Sequence, residues 1–120
     1  IVDAIINNDD EFESYDLTLK LLTEHPEINA LFFAAGGVYG GCRAVLSLHR
    51  EKNIKIITFD GVDTTRDLIT KDVISATICQ QPKIQGSKPL DILFAYLTAG
   101  ELPKKELNFV AVDIRIKENI

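Results

Sequence analysis

The fold is decided by two short stretches, Ile54–Gly61 (IKIITFDG) and Ile74–Pro82 (ISATICQQP). Each starts as a β-branched, apolar run, reaches a polar side chain, Asp60 or Gln80, and then breaks into turn-forming residues. This pattern is typical of parallel strands that deliver a polar group to a crevice at the end of a sheet. Asp60 and Gln80 are therefore the first candidates for ligand binding.

Strands and helices alternate along the whole chain. The predicted strands cover residues 1–6, 31–34, 54–59, 74–79 and 109–116, the last with an apolar residue at every second position. The predicted helices run from the capping segment 7–10 to Pro26, over 37–52, from Asp63 or Thr64 over a short stretch, and over 82–99. This alternation predicts an α/β fold, a parallel sheet in a three-layer sandwich. The continuous apolar run 31–34 suits a strand buried between two helical layers.

Length and charge exclude several classes of protein. The 120 residues, 46% of them apolar, suffice for one domain with a core. A formal net charge of -5 argues against a nucleic-acid-binding surface, which needs clustered Lys and Arg. The longest apolar runs fall far short of the roughly 20 residues that span a bilayer, so we expect no membrane partner. The chain opens inside a predicted strand without Met, so we expect a part of a longer protein.

The polar candidates gather at one predicted edge. Carboxyl ends of parallel strands bring together segments 7–12, 35–37, 60–63 and 80–82. Asp60 can accept hydrogen bonds from two adjacent hydroxyls, whereas an Asp before Gly is also common in turns. The glycine-rich segment 36–41 could offer amides to an anion or could allow tight helix packing, and we favour packing. No catalytic residues, metal ligands or cofactor loop are visible, and we read Cys42 and Cys79 as buried free thiols.

The two opening stretches also carry a family resemblance. A strand ending in Phe59-Asp60-Gly61, a short helix and the sequence Ala-Thr-Ile-x-Gln-x-Pro resemble the periplasmic ribose-type sugar-binding proteins and the effector domains of lactose-repressor (LacI) transcription factors. The likeness extends over nearly the whole chain, through segments 21–26, 29–34, 85–86, 90–97 and 110–119.

The resemblance implies a type I periplasmic-binding-protein-like fold in which residues 1–120 are the C-terminal lobe of two. It also implies that helix 82–100 belongs to the other lobe and that a sugar-like ligand lies in the cleft. Asp60 and Gln80 would bind sugar hydroxyls, and Phe12 would stack on the sugar unless it is a core residue. Ala35 and Gly36 stand where the family usually has Asn-Asp, so one polar contact is lost and the ligand may differ from a simple pentose or hexose.

On this basis we expect the ligand-sensing domain of a LacI-like transcription regulator, cytoplasmic and homodimeric, without catalysis or a cofactor. Its effector would be a sugar-like molecule, and DNA would be bound only through an N-terminal domain beyond this chain. The alternative is an extracytoplasmic sugar-binding protein of a transport system. A less favoured reading is a phosphoacceptor receiver domain, whose signature Asp9-Asp10, Asp60, Thr77 and Lys88-Pro89 imitate; Thr77 and Lys88 are wrongly placed for it.

Overall fold

The computed structural model describes residues 3–120, which form four helices and four strands. In chain order these are α1 (Glu11–Glu24), β1 (Ala30–Phe33), α2 (Val38–Ser47), β2 (Lys55–Phe59), α3 (Asp63–Thr70), β3 (Ala76–Cys79), α4 (Pro82–Ala99) and β4 (Asp113–Arg115). The strands form one sheet in the order β1-β2-β3-β4, with β1, β2 and β3 paired in parallel. The predicted alternation of strands and helices and the parallel pairing are therefore confirmed.

The chain divides into two compact units. The first comprises the residues up to Ile78 together with Ile114–Ile120, and the second is Cys79–Asp113. The first unit contains α1, α2, α3 and most of the sheet, and the second contains α4. The boundary falls at the end of β3, next to one of the two candidate ligand residues.

The core of the first unit lies on one face of the sheet. Its buried residues come from all three helices and from the strands: Leu22, Ile28, Cys42, Val45, Ile54, Ile56, Leu68, Ile69, Val73 and Ile74. On the opposite face, Phe32 is 60% exposed and Ile57 is 41% exposed. The prediction that the run 31–34 is buried on both faces is therefore wrong, because the three helices of this unit all pack on the Ile56 side.

Helix α1 begins and ends where its flanking residues predict. Asp10 is the N-cap, and its carboxylate accepts hydrogen bonds from the N–H groups of Phe12 and Glu13 at 2.9 and 2.8 Å. The helix ends at Glu24, just before Pro26. Two other helix boundaries differ from prediction.

Helix α2 ends at Ser47 and not at Lys52. His49 has a φ of +52°, and the N–H groups of His49 and Arg50 donate to carbonyls of the last helical turn at 3.0 and 3.1 Å. This is the hydrogen-bond pattern of a Schellman stop, usually made by glycine, with histidine in its place. Helix α3 is capped by Val62, so the predicted cap at Asp63 or Thr64 is also wrong.

Both outer strands are shorter than predicted. Ile1 and Val2 lie outside the described residues, and no strand is present within 3–6, which lines a cavity together with β1 instead of pairing with it. The terminal strand covers only Asp113–Arg115. Residues 109–112 do not extend it, because Phe109, Val110 and Val112 line a groove against α4 in the second unit.

Candidate functional site

The parallel pairing brings the ends of β1 and β2 to the same edge of the sheet. Phe33 at the end of β1 is in register with Thr58, two residues before Asp60. Ala35 and Gly36 therefore leave β1 at the edge where Asp60 leaves β2. All three residues are exposed, as a ligand contact requires.

Asp60 has an unusual backbone that is held on both sides. Its φ is +64°, in the left-handed region that only a few residue types adopt readily. Its N–H donates to the carbonyl of Ile78 at 2.9 Å, and its carbonyl accepts from the hydroxyl of Thr77 at 2.9 Å. The side chain of Arg66 donates to the carbonyl of Gly61 at 2.8 Å. The Asp-Gly turn is thus a fixed platform, which unites the turn and the ligand readings of this residue.

Thr77 is the feature of this site that sequence reasoning missed. It appeared only as a misplaced counterpart of a receiver's switch threonine, yet it is fully buried and anchors the candidate ligand residue. The available signal was its polar side chain within the apolar run Ile74–Cys79, at a position that pairs with Thr58 of the neighbouring strand.

The glycine-rich start of α2 is a packing site. The N–H of Gly36 donates to the carboxylate of Asp9 at 2.7 Å, and the N–H of Gly40 donates to that of Glu11 at 2.5 Å. A Cβ on Gly40 would lie 1.9 Å from the carbonyl oxygen of Glu11, and one on Gly37 would lie 2.2 Å from the side chain of Asn7. The structure therefore supports tight packing over an anion site, because carboxylates of the chain itself take the amides.

Phe12 lies at the start of α1 and is 82% exposed. The alternative that it is a core residue is therefore wrong. An exposed ring of this size beside the edge segment is available to stack on a ligand, and this role remains a prediction.

A cavity of about 880 Å³ joins some of the predicted site residues. It is lined by Asn7, Asn8, Asp9, Ala35 and Gly36, together with residues from α1 and β1. Asp60 and Phe12 are not part of its lining. The cavity thus brings together the first two of the four predicted edge segments within the first unit.

Gln80 belongs to the second unit. It lines a groove of about 720 Å³ formed by α4 and the segment 103–112. Its backbone carbonyl accepts a hydrogen bond from the side chain of Gln85 at 2.6 Å, and the next residue, Gln81, has a φ of +51° and caps α4. Asp60 and Gln80 therefore stand in different units, on either side of the boundary after Ile78.

The cysteines offer no reactive centre. Burial, with a smaller contribution from the charge of Glu11, raises the pKa of the Cys42 thiol to about 12. Cys42 is buried as predicted, whereas Cys79 is only half-buried. Within residues 3–120, no group of His, Cys, Asp and Glu could hold a metal ion. The helices described here include none that is long and apolar enough to cross a membrane.

Comparisons with known proteins agree on one family. Its model, described as a periplasmic binding protein domain, matches residues 1–102. A D-apiose import binding protein from Paraburkholderia graminis is 22% identical over 107 residues, which are 89% of this chain and 34% of that protein. The chain thus spans about a third of this curated relative's length.

Solved structures give the same picture. The XylFII-LytSN complex matches with a TM-score of 0.87 and 29% identity, over 100% of this chain and 42% of that chain. A solute binding protein of an ABC transporter from Agrobacterium vitis, with bound D-fucose, has a TM-score of 0.87 at 22% identity, over 99% of this chain and 41% of that chain, and supports the fold alone. The predicted fold, one lobe of a two-lobe binding protein, is confirmed.

The same findings overturn the predicted function. Proteins similar to this chain are import and transporter binding proteins, so the expected LacI-like transcription regulator and its cytoplasmic location are wrong, and the DNA partner is withdrawn with them. The error has a clear origin. Every residue that carries the resemblance lies in the ligand-binding domain that regulators and transport proteins share.

Proposed function

Because the chain belongs to the family of periplasmic binding protein domains, we propose that it is part of an extracytoplasmic sugar-binding protein of a transport system. The observation that carries this proposal is Asp60, an exposed carboxylate at the carboxyl edge of a parallel sheet on a hydrogen-bonded turn. An ionised carboxylate accepts from two adjacent hydroxyls at once, which is the arrangement that a sugar presents. The role is binding, and we propose no catalysis.

Three further residues complete the proposed site. Phe12 stacks its exposed ring on the apolar face of the sugar, and the amide of Gln80 donates and accepts hydrogen bonds. Ala35 contributes no polar side chain, and the Gly36 N–H is already bonded to Asp9. We therefore expect a ligand that differs from a simple pentose or hexose by making fewer polar contacts at this segment.

We also propose that residues 1–120 form the C-terminal lobe, with helix 82–100 packing on the other lobe in the full-length protein. The division of the chain into a first unit and a separate unit Cys79–Asp113 supports this assignment. So does the apolar stripe of α4, where Leu90, Phe94 and Leu97 are 66, 69 and 71% exposed. Ligand binding would close the two lobes about a hinge, and the closed form would be the one that a transporter receives.

The proposal is tested by calorimetry on the full-length protein with D-apiose, D-fucose, D-allose, arabinose, glucose and galactose. Asp60→Asn is the informative variant, because Asn tolerates the left-handed backbone that Ala would strain. Hydrogen bonds to a charged group contribute about 1.5 to 3 kcal/mol, so the affinity for the best sugar should fall about 10-fold or more.

Asp16→Asn is the matched control, since it removes an exposed carboxylate from α1 away from the edge. Its affinity and both melting temperatures should stay close to those of the unchanged protein. Equal affinities for the Asp60 and Asp16 variants would remove Asp60 from the site. Failure of every sugar to bind would refute the sugar-binding function.

A further inference from the structure

The left-handed backbone of Asp60 is held by a single buried side chain. Thr77 is 0% exposed, and its hydroxyl lies 2.9 Å from the carbonyl oxygen of Asp60 and 3.3 Å from that of Thr58. A hydroxyl has one proton to donate, so the shorter contact is the favoured hydrogen bond. We infer that Thr77 is the positioning residue of the ligand site, which fixes the backbone from which the Asp60 carboxylate projects. This inference rests on the proposed sugar-binding function.

The geometry explains why this hydroxyl matters more at Asp60 than at an ordinary turn. A left-handed residue other than Gly is strained and persists only when its surroundings determine it. The Asp60 N–H is tied to the carbonyl of Ile78 on the same strand that carries Thr77. Both ends of the Asp60 peptide unit are therefore fixed to β3, and only one of the two bonds comes from a side chain that can be substituted.

The neighbouring strand provides a matched control. Thr58 pairs with Thr77 in the sheet and is likewise 0% exposed. Its hydroxyl has no hydrogen-bond partner among the described residues. The two threonines share residue type, burial and position in the sheet, and they differ in whether the hydroxyl holds Asp60.

The experiment measures the affinity of the full-length protein for its best sugar from the panel above, for three variants. Thr77→Val keeps the side-chain shape and removes the hydroxyl, so affinity should fall about 3- to 10-fold, the range of one lost hydrogen bond. Thr77→Ser keeps the hydroxyl and should bind within about 2-fold of the unchanged protein, although it loses a buried methyl group and so melts at a lower temperature. Thr58→Val should leave the affinity unchanged.

Thr77→Val is then combined with Asp60→Asn. If Thr77 acts through Asp60, the substitution of Thr77 should weaken binding much less in the Asp60→Asn protein than in the unchanged one. A purely structural role predicts the opposite pattern: Ser and Val variants would lose affinity in step with melting temperature, and the two substitutions would be additive.

The outcomes separate the two hypotheses. If sugar binds and Asp60→Asn weakens it while Thr77→Val does not, the positioning role is overturned and the proposed function stands. Equal losses for Thr58→Val and Thr77→Val would also overturn it. If no sugar binds, both fall together. Loss in Thr77→Val, retention in Thr77→Ser and non-additivity with Asp60→Asn support the inference.

Discussion

Replacing Gly40 by Ala should destabilise the first unit, although alanine is the better helix former. Gly40 lies in the first turn of α2, where its Cα meets the backbone of α1. An added Cβ would lie 1.9 Å from the carbonyl oxygen of Glu11 and 2.8 Å from its carbonyl carbon. Because the obstacle is backbone and not the end of a flexible side chain, no rotamer change can relieve the contact, and the two helices must separate.

The size of the effect follows from two opposing contributions. Overpacking costs about 1 to 3 kcal/mol and occasionally more. The gain in helix propensity from Gly to Ala returns about 1 kcal/mol at most. The contact is far shorter than the 3.4 Å at which ordinary van der Waals contact begins, so we expect the upper end of the cost and a net loss of about 2 kcal/mol. For a unit of this size, that corresponds to a melting temperature lower by roughly 8 to 16 °C.

The assay is thermal and urea unfolding followed by circular dichroism. Gly86→Ala in α4 is the control, because a Cβ at Gly86 has nothing within 4 Å. It should leave stability unchanged or raise it slightly. A Gly40→Ala protein at least as stable as the unchanged one would refute the close approach of α1 and α2. So would equal effects of the two substitutions.

Two further predictions concern pH and association. The Cys42 thiol ionises only near pH 12 when folded but near its model value of 9.0 when unfolded; the unfolded state therefore binds fewer protons in this window, and stability should fall as pH rises from 9 towards 12. Unfolding by urea across this range measures the slope, which Cys42→Ala should reduce, and an unchanged slope would contradict a protonated buried thiol. The exposed stripe of α4, with Leu93 and Phe94 51 and 69% exposed, should make the isolated chain a dimer or larger species. Light scattering at micromolar concentration checks this: Phe94→Asp should shift the species towards monomer, and a clean monomer before substitution would rule it out.

Sequence predicted the elements best where local chemistry alone decides them. Asp10 caps α1, and Gly100 ends α4 in a left-handed conformation, both as their residue types suggest. Sequence failed where partners decide. His49 stops α2 in a role usually taken by glycine, and the period-two pattern at 109–116 could not reveal that residues 109–112 pack against α4.

The same distinction holds for the site. Asp60 was identifiable because strand ends and the Phe-Asp-Gly pattern are visible in one stretch of sequence. Thr77 was not, because its role depends on a hydrogen bond across 17 residues of chain. The choice between regulator and transport protein was beyond reach for another reason, since both classes use this domain and their differences lie in other parts of the chain.

The interrupted path of the first unit constrains how it can be completed during synthesis. Its last segment, Ile114–Ile120, leaves the ribosome only after all of Cys79–Asp113 has been made. That segment contributes Lys117, which forms an ion pair with Asp72 at the turn between α3 and β3. Until it arrives, the nascent first unit has α1 to β3 without its closing strand and this clasp. Translation pauses within residues 79–113 would therefore prolong the life of an unfinished sheet edge, the stage at which a nascent chain is most open to mispairing.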